Sequence, residues 1–80
     1  MKAKIYISLK PTVSDPQGTT IKGALHKLGF YNVNDVRAGK FIELEIEDGD
    51  ESDIRVQVSE MCQKLLTNPI IEDFDFEFEN

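Results

Sequence analysis

The sequence predicts an α+β fold: a four-stranded antiparallel sheet with two helices on one of its faces. Three observations carry this. Hydrophobicity alternates with period two over residues 2–10, 41–47 and 73–79, the pattern of half-buried strands. Two stretches between them, from Asp15 and from Ser52, place apolar residues at helical spacing. The order is strand, helix, strand, strand, helix, strand, two similar halves without a linker. That is the ferredoxin-like split βαβ pattern, expected to occupy residues 1–80 as a single domain.

The elements follow in order. Ala3, Ile5, Ile7 and Leu9 share one face of the first strand, and Pro11 ends it because proline cannot donate to a ladder. Asp15 then reads as a helix N-cap with Pro16 at the first helical position. Ile21, Ala24, Leu25 and Leu28 form its apolar stripe, and Gly29 is the stop. A short strand is expected at Val33–Arg37, then a tight turn at Ala38-Gly39-Lys40. Ile42, Leu44 and Ile46 point inward from the next strand, with Glu43, Glu45 and Glu47 outward. The second helix is expected from Ser52 to Thr67, with Ile54, Val58, Met61, Cys62, Leu65 and Leu66 on its apolar side and Asn68-Pro69 closing it. Phe74, Phe76 and Phe78 share one face of the last strand, with Asp73, Asp75, Glu77 and Glu79 on the other.

In this topology the first strand lies between the third and fourth. Lys2 and Lys4 then fall between two acidic rows, where opposite charges across strands contribute about 0.2–1 kcal/mol per pair. The loop Lys10–Gln17, the turn at Gly39-Lys40 and the Asn68-Pro69 turn converge at one edge. Lys10, Arg37 and Lys40 meet a helix N-terminus there, with its unpaired N–H groups and positive dipole end. On residue pattern alone, ordinary turn chemistry with solvated lysines accounts for this edge better than an anion or partner site does.

Composition narrows the function classes. Fifteen acidic against nine basic residues leave a net charge of −6, which disfavours a phosphate backbone as partner. A chain of 80 residues buries only about 60% of its unfolded surface. With one cysteine and one histidine it has neither an internal disulfide nor a Cys/His metal cluster to reinforce the core. Oligomerisation is the expected remedy. The lone Cys62 and the absence of a leader or spanning apolar run point to the cytoplasm and away from membranes.

Catalytic patterns fail one by one. His26 lies beside the apolar stripe of the first helix without a sequence partner, and Cys62 sits where a small core hydrophobe belongs. No Gly-rich phosphate loop and no Cys-x-x-Cys is present. RNA-recognition domains of this topology stack bases on aromatics of the exposed face of their central strands, where only Tyr6 could serve, amid acidic neighbours. No catalytic, cofactor or metal site is therefore expected on the chain.

One family resemblance runs along the whole length. Leu9-Lys10-Pro11 with Asp15-Pro16-Gln17-Gly18, Ala24-Leu25 with Leu28-Gly29-Phe30, and Val36-Arg37 with Gly39-Lys40 and Ile42-Glu43-Leu44 match it in order. So do Glu60-Met61-Cys62, Lys64-Leu65-Leu66, Asn68-Pro69 and Ile71-Glu72. Together they resemble the small subunit of phosphoribosylformylglycinamidine synthase; Thr12 and Ser14 depart from its pattern.

The resemblance implies a non-catalytic part of an ATP-dependent, glutamine-using ligase complex of de novo purine biosynthesis. The complex uses ATP, magnesium and glutamine, and the small subunit forms a homodimer and bridges the synthetase and glutaminase subunits while supporting ammonia transfer. It also favours a partner-binding role for the converging edge, formed by Lys10, Pro11, Asp15, Pro16, Gln17, Gly18, Arg37, Gly39 and Lys40. A free-standing regulatory domain that binds a small ligand at a dimer interface is the alternative. An acylphosphatase-like hydrolase ranks below both, because the Arg-bearing phosphate loop after the first strand is missing.

Overall fold

Alternation along Lys2–Leu9 produces strand β1, the centre of the sheet. The computed structural model describes residues 1–79. After β1 come helix α1 (Pro16–Lys27), strand β2 (Gly39–Glu45), helix α2 (Glu51–Met61), one π-helical turn (Cys62–Leu66) and strand β3 (Glu72–Glu79). The sheet order is β2-β1-β3, antiparallel throughout. Ile5 lies opposite Ile42 and Phe76, whereas Tyr6 lies opposite Phe41 and Asp75. One face is thus apolar and the other charged, as period two requires.

Helix α2 covers the apolar face. Ile54, Val58 and Cys62 pack with Ala3, Ile5 and Ile7 into a buried cluster bordered by Ile42, Leu44, Leu66 and the three β3 phenylalanines. Arg55 extends its guanidinium over the rings of Phe76 and Phe78, 5.8 and 5.1 Å from their centroids. The π-helical turn inserts one extra residue's worth of rotation after Met61. Cys62 and Leu66 keep their inward positions, but Leu65 turns out and is 82% exposed. Thr67 closes the turn by donating both its amide and its hydroxyl to the Cys62 carbonyl, at 2.9 and 2.7 Å.

Two expectations about the fold are corrected. The sheet has three strands, not four, because Val33–Arg37 forms no ladder. Its only apolar members, Val33 and Val36, are three residues apart, so no strand face collects them. Its polar groups are also engaged elsewhere. The His26 ring meets the Val33 carbonyl at 2.8 Å, and just past the segment the Ala38 amide donates to Asp15 at 2.8 Å.

The second correction concerns α1. It forms where expected, and it ends in the positive-φ glycine Gly29, with Gly29 and Phe30 donating to the carbonyls of His26 and Leu25. Yet none of its residues joins the core cluster. Gly18 is its one buried residue, while Leu28 is 73% and Tyr31, just beyond, 77% exposed. The helix projects as an arm. A compact chain of this length has a radius of gyration near ~12 Å, whereas this one has 16.1 Å and extents of 49 × 27 × 14 Å.

Candidate docking interface

The edge at the C-terminal end of β1 is built around Asp15. Its side chain is buried, with Oδ1 accepting the Gly18 amide at 3.0 Å and Oδ2 accepting the Ala38 amide at 2.8 Å. One carboxylate therefore caps α1 and fastens the start of β2 to it. The Gly18 amide, followed by the Ala38 amide, holds the Asp15 carboxyl below its ordinary acidity range. Gly18 completes the joint by letting the helix approach the Val36 carbonyl, which a Cβ would meet at 2.1 Å.

Arg37 braces the other side. Its guanidinium donates to the carbonyls of Leu9, Lys10 and Val13 at 3.0–3.4 Å. The Lys10 amide donates to the Ile71 carbonyl at 2.8 Å, which ties the loop to the Asn68-Pro69 turn. Loop, helix start, β2 start and Asn-Pro turn thus meet, as the topology predicts.

The electrostatics differ from the expected basic patch. Lys10 pairs with Asp73 at 3.7 Å and Lys40 with Glu72 at 3.5 Å. Asp15 occupies the positive end of α1, and Arg37 is spent on carbonyls. The edge is a charge-compensated, rigid platform rather than an anion site. Pro11, Pro16 and Gln17 are exposed on it. Gln17, Gly39 and Lys40 border a notch of about 160 Å³ beside Asp15. Nothing here provides a nucleophile with a base, and among the described residues no group of His, Cys, Asp or Glu is placed to hold a metal.

Sequence reasoning missed two side chains beside this edge. Leu65 and Ile70, each 82% exposed, flank the Asn68-Pro69 turn. Leu65 is read as core because regular helical spacing is assumed past Met61, and no local signal announces the π-helical turn. Glu72 and Asp73 were missed as partners of the lysines because those pairs depend on the register of both β2 and β3 against β1.

A family profile described as "PurS: Phosphoribosylformylglycinamidine (FGAM) synthase" matches residues 2–80. The chain belongs to the PurS family. A curated relative from Bacillus subtilis, the phosphoribosylformylglycinamidine synthase subunit PurS, is 51% identical over 78 residues, 98% of this chain and 92% of the relative. The solved B. subtilis PurS structure superposes with a TM-score of 0.89 over 99% of this chain and 98% of that one. PurS from Methanocaldococcus jannaschii, described as one of the subunits of formylglycinamide ribonucleotide amidotransferase, gives 0.86 at 44% identity, covering 98% and 94%. A chain of the PurLQS assembly from Thermotoga maritima also gives 0.86, at 32% identity and covering 95% and 93%. Both corrections to the fold thus belong to a shape that PurS relatives share.

Proposed function

We propose that this chain is the non-catalytic small subunit of phosphoribosylformylglycinamidine synthase in purine biosynthesis, joining the synthetase and glutaminase subunits and supporting transfer of glutamine-derived ammonia between them. The whole-length match to PurS carries this reading, and a PurS-like chain within a PurLQS assembly supports it. Ammonia lost to water is protonated and no longer nucleophilic, so close docking of subunits has a chemical purpose. The complex, not this chain, would use ATP, magnesium and glutamine. The setting is the cytoplasm; among the described residues no helix is long and apolar enough to cross a membrane.

The rigid edge from Lys10 to Gly18, with Arg37, Gly39 and Lys40, is the surface assigned to a partner subunit. Its compensated charges favour contact through fixed shape over attraction of an acidic surface. A homodimer is favoured by a separate observation: Ile21 of α1, and Leu28 and Phe30 just past its end, are exposed apolar residues outside the core cluster of their own chain.

The experiment is formation of formylglycinamidine ribonucleotide by the purified synthetase and glutaminase subunits, with and without this chain. Glutamine-driven turnover should require it, and ammonia-driven turnover should need it much less. Glutamine-driven turnover indifferent to the chain would overturn the reading and bring the ligand-binding alternative forward.

A further inference from the structure

The outer face of the sheet faces away from α2 and is bare. Tyr6 on the central strand and Phe41 opposite it are 46% and 52% exposed, with ring centroids 5.2 Å apart. Around this aromatic centre the register sets Lys2 and Lys4 against six carboxylates: Glu43, Glu45, Asp73, Asp75, Glu77 and Glu79. Some of that charge is used internally. Lys2 pairs with Glu43, Lys4 with Glu79, Lys10 with Asp73, and the Tyr6 hydroxyl donates to Glu77 at 2.8 Å. A surplus of negative charge remains after these pairs.

Beside Tyr6 the face dips into a groove of about 360 Å³ whose lining includes Ser8, Gly39, Lys40, Asp73 and Asp75; the Lys40 ammonium is paired with Glu72. A side chain at position 39 would close in on the neighbouring strand, since its Cβ would stand 2.6 Å from the Ile7 carbonyl. At this groove the Tyr6 ring stands beside Asp75 and beside Asp73, whose side chain is 59% exposed although paired with Lys10. A ring and carboxylates so placed suit a guanidinium or ammonium group, which takes a ring face and charge-assisted hydrogen bonds together. Exposed aromatics ringed by charge are also the usual layout of a binding hot spot with its polar rim.

We infer that this face docks a basic protein surface, with an arginine or lysine of the partner seated in the groove between Tyr6, Asp73 and Asp75. A second copy does not fit: two-fold pairing of the face with itself would set its surplus carboxylates against one another. Nucleic acid is excluded by the same sign of charge. The occupant is a different protein with a cationic patch. The inference rests on the subunit reading above, and adds a second contact surface on the opposite side of the sheet from α2.

The test measures binding of the full chain to the purified synthetase and glutaminase subunits, separately and together, over a range of salt. Two variants are compared with the unaltered chain: Glu45→Lys with Asp75→Lys, and Phe41→Ser. Glu45, Asp75 and Phe41 are exposed, so thermal unfolding of the sheet-face variants should match the unaltered chain. The double charge reversal should weaken binding to at least one subunit by roughly tenfold or more, mainly by slowing association, and should flatten its salt dependence. Phe41→Ser should speed dissociation. Sheet-face variants that bind both subunits like the unaltered chain would overturn the inference. So would variants that change only the oligomeric state. An unaltered chain that binds neither subunit would instead overturn the subunit reading.

Discussion

Alanine at Gly18 and at Gly23 puts the same methyl group on the same helix and should give opposite results. In both places alanine gains about 1 kcal/mol of helix propensity over glycine. At Gly23 nothing lies within 4 Å of the new Cβ, so about 0.5–1 kcal/mol of net stabilisation is expected. At Gly18 the Cβ would stand 2.1 Å from the Val36 carbonyl oxygen and 2.9 Å from Asp15 Oδ2. The carbonyl has little freedom to retreat. Val33 is held by the His26 ring, Ala38 by Asp15, and Arg37 by three carbonyls of the opposite loop.

Overpacking of this kind costs about 1–3 kcal/mol, which exceeds the propensity gain. The propensity gain is common to both variants and cancels, so they should differ by about 1–3 kcal/mol. A domain of 80 residues has only about 4–12 kcal/mol in all. Urea unfolding followed by far-UV circular dichroism reads the difference, at one fixed protomer concentration because assembly would add to stability. Gly18→Ala as stable as Gly23→Ala would refute the close-packed joint between α1 and the Val33–Ala38 segment.

Three further predictions concern other parts of the molecule. Cys62 is fully buried and desolvation pushes its thiol pKa up, so a thiol-reactive disulfide reagent should label it only after unfolding; rapid labelling of native protein would contradict its place in the core. Stability should be flat near neutrality and fall at both extremes. Asp15 (by the Gly18 amide), Asp50 (by the Ser52 hydroxyl) and Glu79 (by Lys4) have lowered folded pKa values, so their contribution is present above about pH 4 and is lost as pH falls through the folded values. Cys62, Tyr6 and Lys4 have raised ones, so theirs is complete below about pH 8.5 and is lost as pH rises through the folded values; denaturation midpoints across pH check both limbs. Leu28→Asp should leave the fold of the isolated chain unchanged and weaken self-association, read by sedimentation at several concentrations; an unaltered sedimentation profile would remove α1 from the interface between copies.

Strands β1, β2 and β3 were legible because alternation is a local property, and their order came with the split βαβ pattern, which puts the first strand in the middle. The start of α1 was equally plain, since Asp15 and Pro16 satisfy the cap and first-turn rules without help from tertiary structure. Position is another matter. The stripe Ile21, Ala24, Leu25, Leu28 shows that α1 has an apolar side, but it does not say whose surface that side meets. The same limit explains the edge: the sequence brings Lys10, Arg37 and Lys40 together, yet only the register reveals that Asp73 and Glu72 answer the lysines and that Arg37 serves backbone carbonyls. Val33–Arg37 reads as a short strand between two clearer elements, but its valines are three residues apart and no strand face collects them.

The missing fourth strand and the projecting helix have a common cause. A second helix lies flat on a sheet only if the sheet is wide enough to leave it apolar ground. With three strands, α2 occupies the centre over Ala3, Ile5 and Ile7, and Arg55 roofs the β3 phenylalanines. What remains uncovered is the narrow strip of Ile42 and Leu44, half-buried already. The joint at Asp15, Gly18 and Ala38 holds α1 by its base rather than by its stripe, so the direction of the arm is set by hydrogen bonds and close backbone contact, not by packing. A chain arranged this way leaves its first helix, its converging edge and its outer sheet face open at once. Three separate surfaces with different chemistry, apolar, charge-compensated and acidic, suit a part whose work is to hold several neighbours in place.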